Sequence, residues 1–172
     1  LYVVGGAVRD FLIGIKPHDI DLVTNAKPNE IMEILKSKYK LDLQGKQFGV
    51  IRVFTKQFPE GIEIASYRKD LVKGRDNKGD NQKVDIETAD IYSDSQRSDI
   101  TSNALYYDIA KGEIIDLVGG IEDIDKNVIS AVGDSSESFI EDRLLIIRVF
   151  RFASRNMSKI SQGTLDAILK DK

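Results

Sequence analysis

The opening stretch of the chain constrains its fold more than any other. Residues 1–4 form a short apolar run that ends on Gly5-Gly6. Residues 7–13 then carry helical spacing, with Val8, Phe11 and Leu12 on one side and Gly14 as the stop. After Pro17 and His18, the run Asp19-Ile20-Asp21-Leu22-Val23 alternates polar and apolar side chains, as a half-buried strand does. Strand, glycine pair, helix and second strand in such close succession predict a layered α/β unit.

The rest of the chain continues that pattern. Residues 28–38 read as an amphipathic helix with Ile31, Ile34 and Leu35 at helical spacing and Pro28 in its first turn, where a missing N–H costs nothing. Residues 48–55 and 62–67 are β-type runs separated by a turn with Pro59 and Gly61. Residues 70–90 are polar and glycine-rich, and they are expected to form a mobile loop because they hold too little apolar surface to offset ordering entropy. A short helix is expected around 98–104, strands at 105–109 and 113–116, a helical turn from Gly119-Gly120, and a β-like run at 128–132. Residues 138–155 form a helix with apolar positions on most faces, the mark of burial between layers, and residues 161–170 begin another. The expected division is 1–118, a connecting region 119–137, and the start of a helical part at 138–172.

Composition excludes several classes. No cysteine is present among the 172 residues, which removes thiol nucleophiles, zinc ribbons and disulfide frameworks and suits a reducing, cytoplasmic setting. Apolar runs are too short to span a bilayer. The net charge of −3, from 25 basic and 28 acidic residues, leaves room for local basic patches but not for a generally basic coat. The chain opens on Leu1 rather than methionine, as expected where residues precede it. Oligomeric state is not legible here.

The chemistry is carried by Asp19 and Asp21. On a strand, residues i and i+2 share a side, so both carboxylates would face one pocket, as two-metal nucleotidyl transfer requires. Gly5 and Gly6 at a strand-to-helix junction would let backbone N–H groups approach a triphosphate, with the helix N-terminus adding a favourable dipole. Further along, Arg97, Asp99 and Asn103 supply a cation, an acceptor and an amide for ribose hydroxyls and phosphate oxygens. A helix cap is the alternative for Asn103. Glu63, on a strand expected beside the two aspartates, is either a third carboxylate or a solvent-facing strand residue. Arg68 either holds a phosphate or pairs with an acid, and His18 reads as a turn residue.

These motifs together resemble the class II tRNA nucleotidyltransferase and bacterial poly(A) polymerase family, within the polymerase β-like superfamily. The resemblance rests on Gly5 to Asp10 (Gly-Gly-Ala-Val-Arg-Asp) with Asp19-Ile20-Asp21, on Ile62 to Arg68, on Arg97 to Leu105, on Gly120 to Ile124, and on Glu141-Asp142 with Arg148 and Arg151-Phe152. It implies an α/β (α+β) head with a mixed sheet flanked by helices, followed by the start of an all-helical neck. It also implies RNA 3′-end extension, tRNA CCA addition ahead of poly(A) addition, with ATP and CTP as substrates, two Mg²⁺ ions, and tRNA or another RNA 3′ end as partner. Residue by residue, it implies metal ligands at Asp19, Asp21 and Glu63. It places nucleotide contacts at Gly5, Gly6, Arg9, Arg97, Asp99, Asn103, Glu141, Asp142 and Arg148, and RNA contacts at Arg151 and Arg155. Favourable first-turn charges are the alternative for Glu141 and Asp142, and charges snorkelling to water the alternative for the arginines of that helix. The chain departs from the family in carrying Leu145 three residues after Asp142, and Ser98 and Ser138, where arginine is usual. These departures touch base selection more than catalysis. A non-catalytic nucleotide- or RNA-binding relative and transfer to a small molecule are the competing readings.

Overall fold

The computed structural model describes residues 1–70, 84–134, 138–140 and 142–170. In chain order the strands that meet in its main sheet are β1 (Tyr2–Val4), β2 (Asp21–Thr24), β3 (Lys40–Asp42), β4 (Val50–Phe54) and β5 (Ile62–Ser66). A separate antiparallel pair, β6 (Lys69–Asp70) with β7 (Val84–Asp85), lies within the stretch expected as a loop, and residues 71–83 of that loop lie outside the described residues. Strands β8 (Leu105–Asp108) and β9 (Glu113–Asp116) complete a seven-stranded sheet in the order β3-β4-β5-β2-β1-β8-β9. The sheet is mixed, since β2 and β5 run parallel while its other ladders are antiparallel.

Register decides what each face carries. Residues directly opposite one another share a face, so Asp42, Arg52, Glu63, Asp21, Val4, Tyr106 and Ile115 form one row across the sheet. On the other face, Leu41, Ile51, Val53 and Ile64 pack with Ile31, Met32 and Leu35 of helix α2 (Pro28–Leu35), which Pro28 opens as expected. The front face closes over Tyr106, Val23 and Tyr67, where Ile91 of α3 (Ile91–Ser95) packs. It stays open at Asp21 and Glu63.

Beyond the sheet come α4 (Gly120–Asp125) and β10 (Val128–Ile129), then a helical turn at residues 138–140, α5 (Leu144–Asn156), β11 (Lys159–Ile160) and α6 (Gln162–Lys170). A second core joins Ile100 to Ile129, Phe139, Leu145, Val149, Phe152 and Ala167. Phe139 and Val149 are fully buried, and each such side chain contributes about 1.5–3 kcal/mol. Asp116 organises the start of α4. Its Oδ1 accepts N–H donations from Val118 (3.1 Å), Gly119 (2.9 Å) and Gly120 (3.0 Å), and its Oδ2 accepts one from Ile121 (2.9 Å). Among the described residues no helix is long and apolar enough to cross a membrane.

Several expectations are corrected. Helix α1 (Gly6–Leu12) buries Ala7, Val8, Arg9 and Asp10, while Phe11 is 68% exposed, because paired charges rather than an apolar stripe face inward. Ile34 is likewise exposed, since α2 ends at Leu35 and presents Ile31 to the sheet. The helix expected at 98–104 is replaced by two elements. A capping box between Asp90 and Ser93 starts α3 earlier, and Ile100 then bridges to Ala131, so only Thr101–Asn103 coil, as a 3₁₀ turn. The long helix expected at 138–155 divides into the turn at 138–140 and α5.

Candidate active site

Asp21 opens β2, and Asp19 precedes the strand instead of lying on it. The ladder to β1 ends at the Val4–Asp21 pair because Gly5, at φ 78°, turns the chain into α1. Asp19 and Asp21 are both exposed, and Glu63 faces Asp21 on the neighbouring strand. The Asp21 carboxyl is held above the usual carboxylate range, first by partial desolvation and then by the negative charges of Glu63 and Asp19, against the pull of Arg52. Arg52, one strand further, forms an ion pair with Glu63. Among the described residues no group of three or more acidic or histidine side chains is close enough to hold a metal ion. Two clustered carboxylates facing solvent, with a third already paired, suit a hard cation that takes its other ligands from water and phosphate.

The glycine pair and Arg9 are more structural than their sequence suggests. The N–H of Gly5 donates to the Leu105 carbonyl at 3.1 Å, which ties α1 to β8 and takes that group away from a triphosphate. Arg9 is 4% exposed. Its Nε and Nη2 donate to Asp10 Oδ1 at 2.9 and 2.6 Å, its Nη1 donates to Asn103 Oδ1, and its guanidinium lies 5.9 Å from the centre of the Phe152 ring. The partners of Arg9 thus lie inside the protein, as a buried cation requires. Asn103 sits at the end of the 3₁₀ turn with its oxygen committed to Arg9.

Arg97 and Asp99 lie between α3 and that turn, not on one helical turn with Asn103. Asp99 accepts from Arg148 Nη1 at 2.9 Å (Oδ1) and 3.1 Å (Oδ2), which joins two expected nucleotide contacts and links this segment to α5. Arg151 packs its guanidinium 4.7 Å from the centre of the Phe152 ring, and Arg155 is exposed near the end of α5. Asp142 Oδ1 accepts the Leu144 N–H at 2.9 Å, at the start of α5. Glu141 lies outside the described residues. Leu145 is 8% exposed within the second core, so the leucine that departs from the family pattern fills an apolar site.

Two participants escaped the sequence reading. Asp94 accepts the Arg68 N–H at 3.0 Å and the Tyr106 hydroxyl at 3.1 Å; burial raises its pKa, against those donations. Its signal was the capping box four residues earlier at Asp90. Arg52 shares the parity of a strand whose register to Glu63 only the folded sheet reveals. A cleft of about 600 Å³ near the start of α2, with Lys27, Leu43, Lys46 and Ile86 in its lining, contains none of the residues discussed above as site candidates.

Residues 1–130 match the family described as Poly A polymerase head domain. The chain is 34% identical over 174 residues to a Salmonella typhi poly(A) polymerase I, covering 97% of this chain and 36% of that protein. It is 38% identical over 168 residues to an Oceanobacillus iheyensis CCA-adding enzyme, covering 97% of this chain and 40% of that one. The Bacillus stearothermophilus CCA-adding enzyme in complex with CTP superimposes with a TM-score of 0.84 at 32% identity, over 99% of this chain and 38% of that one. A tRNA nucleotidyltransferase complexed with a primer tRNA and an incoming ATP analog gives 0.77 at 29% identity, over 98% and 45%. The chain thus spans less than half the length of each.

Proposed function

Because the chain belongs to the Poly A polymerase head domain family, we propose that it catalyses template-independent nucleotidyl transfer to an RNA 3′ end, with tRNA CCA addition or repair as its task. The observation that supports this reading is Asp21 at the start of β2, opposite Glu63 on β5, with the negative charge of Asp19 acting on it from just before the strand. In the reaction the RNA 3′-oxygen forms a bond to the α-phosphorus of ATP or CTP, the bond from that phosphorus to the β-phosphate bridging oxygen breaks, and pyrophosphate leaves. Asp19 and Asp21 would hold Mg²⁺, with Glu63 as a further ligand only if Arg52 releases it. When bound, such ions stabilise charge on the attacking and leaving oxygens.

Around that centre the chain's own residues have distinct tasks. Gly6 at the start of α1 gives the triphosphate a close backbone approach, with Gly5 supporting the turn. Arg97, with Asn103 offering its amide nitrogen, faces the ribose and phosphates. Asp99 and Arg148, already paired, would meet the nucleotide together, Glu141 and Asp142 are proposed for the incoming base, and Arg151 and Arg155 for the RNA. The division into a head at 1–118, a hinge at 119–137 and the start of a neck at 138–172 belongs to the same reading.

Poly(A) addition is the second reading, favoured by the similarity to poly(A) polymerase I. The test offers each triphosphate with Mg²⁺ and tRNA transcripts that end before, within and after CCA. Two cytidines and one adenosine, then a stop, is the expected result. Open-ended adenosine incorporation selects the second reading, and no incorporation by folded protein refutes both.

A further inference from the structure

Glu63 has a charged neighbour on each side along its row of the sheet. Asp21 stands opposite it on β2 and Arg52 opposite it on β4, while Asp42 on β3 stands opposite Arg52. The charges along the face therefore run Asp21, Glu63, Arg52, Asp42. A carboxylate with a candidate cation site on one side and a guanidinium on the other has two ways to turn. Glu63 turns to Arg52: its Oε1 accepts from Nη2 in an ion pair. Asp42, which register also sets opposite Arg52, instead sends its Oδ1 to the Gln44 N–H at 2.9 Å. Accordingly, Asp19, Asp21 and Glu63 do not gather into a three-carboxylate group among the described residues.

The backbone favours this arrangement from the arginine side. A Cβ on Gly61 would lie 2.6 Å from Arg52 Cγ and 2.8 Å from Cδ, so the arginine stem lies over the turn that leads into β5, beside the start of the strand that carries Glu63. Gly61, at φ +90°, meets both the turn and the stem. A half-exposed ion pair adds little to stability, because water screens it. Its consequence lies in what it withholds. Mg²⁺ at triphosphate sites is commonly held by one or two carboxylates, with waters and phosphate oxygens completing its shell. A third free carboxylate would hold the cation before the triphosphate arrives. We propose that Arg52 is a positioning residue for metal binding: by holding Glu63 it leaves a cation only Asp19 and Asp21, so the protein without triphosphate binds Mg²⁺ weakly. Removing the guanidinium releases Glu63 to the cation. This deepens, and rests on, the reading of Asp19 and Asp21 as the transfer centre.

The test is a double-mutant cycle on metal affinity, with Mn²⁺ as the probe. Free Mn²⁺ is followed by its electron paramagnetic resonance signal, without triphosphate or RNA, in the unaltered protein, Arg52→Met, Glu63→Gln and the double variant. Methionine keeps the stem beside Gly61, and the two side chains are 46% and 44% exposed, so the variants should fold, which melting curves check. Arg52→Met should tighten Mn²⁺ binding roughly tenfold, the scale on which groups behind a ligand alter metal affinity. In the Glu63→Gln background the same substitution should tighten it no more than about twofold, the effect of removing a positive charge roughly 10 Å away across two strand spacings. Arg52→Lys, which can still pair with Glu63, should retain the weak binding. Equal tightening in both backgrounds would reduce Arg52 to a distant charge and overturn the proposal, as would no change in either. Asp21→Asn separates this from the underlying reading. If Mn²⁺ binding survives Asp21→Asn unchanged, the metal lies elsewhere and both fall. If binding needs Asp21 but Arg52 and Glu63 are not coupled, the restraint alone is overturned. Coupled, Asp21-dependent binding in a protein that extends no RNA keeps the restraint and refutes the transfer reading.

Discussion

Replacing Arg9 with methionine isolates the interior role of a residue whose motif suggests a nucleotide contact. The substitution keeps the length of the stem and removes the guanidinium. It leaves Asp10, 7% exposed, with an unpaired buried carboxylate, and strips Asn103 Oδ1 of its donor. Breaking one side of a buried ion pair costs about 3–5 kcal/mol. The lost hydrogen bond to Asn103 adds about 1 kcal/mol. For a chain of this size each kcal/mol lowers Tm by roughly 2–4 °C, so a fall of roughly 8–24 °C is expected. The assay is thermal and urea unfolding followed by circular dichroism, with the double variant Arg9→Met, Asp10→Asn as the decisive comparison. Neutralising the stranded acid should recover about 1–2 kcal/mol. A single variant that melts within a degree or two of the unaltered protein, or a double variant less stable than the single one by the full cost of a second lesion, would refute the reasoning. Loss of ATP affinity without loss of stability would return Arg9 to the nucleotide site.

Other consequences are as direct. Gly120→Ala places a Cβ 2.3 Å from the Thr101 carbonyl oxygen, so α4 must shift; a loss of about 2–3 kcal/mol in urea unfolding is expected. Asp116→Ala removes the acceptor for four backbone N–H groups at the start of α4 and should cost about 1–2 kcal/mol. Partial burial alone would raise the Asp116 pKa, but those donations hold it below the usual value, so its contribution is complete above pH about 4 and fades as pH falls through the lower folded-state value. The Tm gap between Asp116→Ala and the unaltered protein should therefore narrow on acidification. The Ser102 hydroxyl is buried with no hydrogen-bond partner among the described residues, so Ser102→Ala should be neutral or raise Tm by a few degrees in a thermal scan.

The legible and illegible parts of this chain divide along physical lines. β5 and β9 were readable because each carries isoleucines in a short run that follows a glycine turn, at Gly61 and Gly112. The pattern gave a layered α/β unit, the family resemblance implied a mixed sheet with flanking helices, and the likeness to the CCA-adding enzyme fold bears it out. The burial of Arg9 and Asp10 was not legible because two adjacent charges in a short helix carry no sign of it, whereas their mutual pairing allows it. The Asp99–Arg148 pair spans residues far apart in sequence and exists only once α5 docks. The β-like run at 128–132 was legible and holds β10, but its two-residue parallel partner β11 was not, being held by packing and not by propensity. Exposed Phe11 and Ile34 show the same limit, since helical spacing gives a stripe but not which side of it meets the sheet.

The measurement that bears most directly on the central claim compares Asp21→Asn with the unaltered protein in a single extension reaction containing RNA, ATP, CTP and Mg²⁺. Melting curves and triphosphate binding are followed alongside. Incorporation abolished by the substitution, in a variant that keeps its fold, is the predicted result. Extension at the unaltered rate by Asp21→Asn would contradict the assignment of the transfer centre to Asp19 and Asp21.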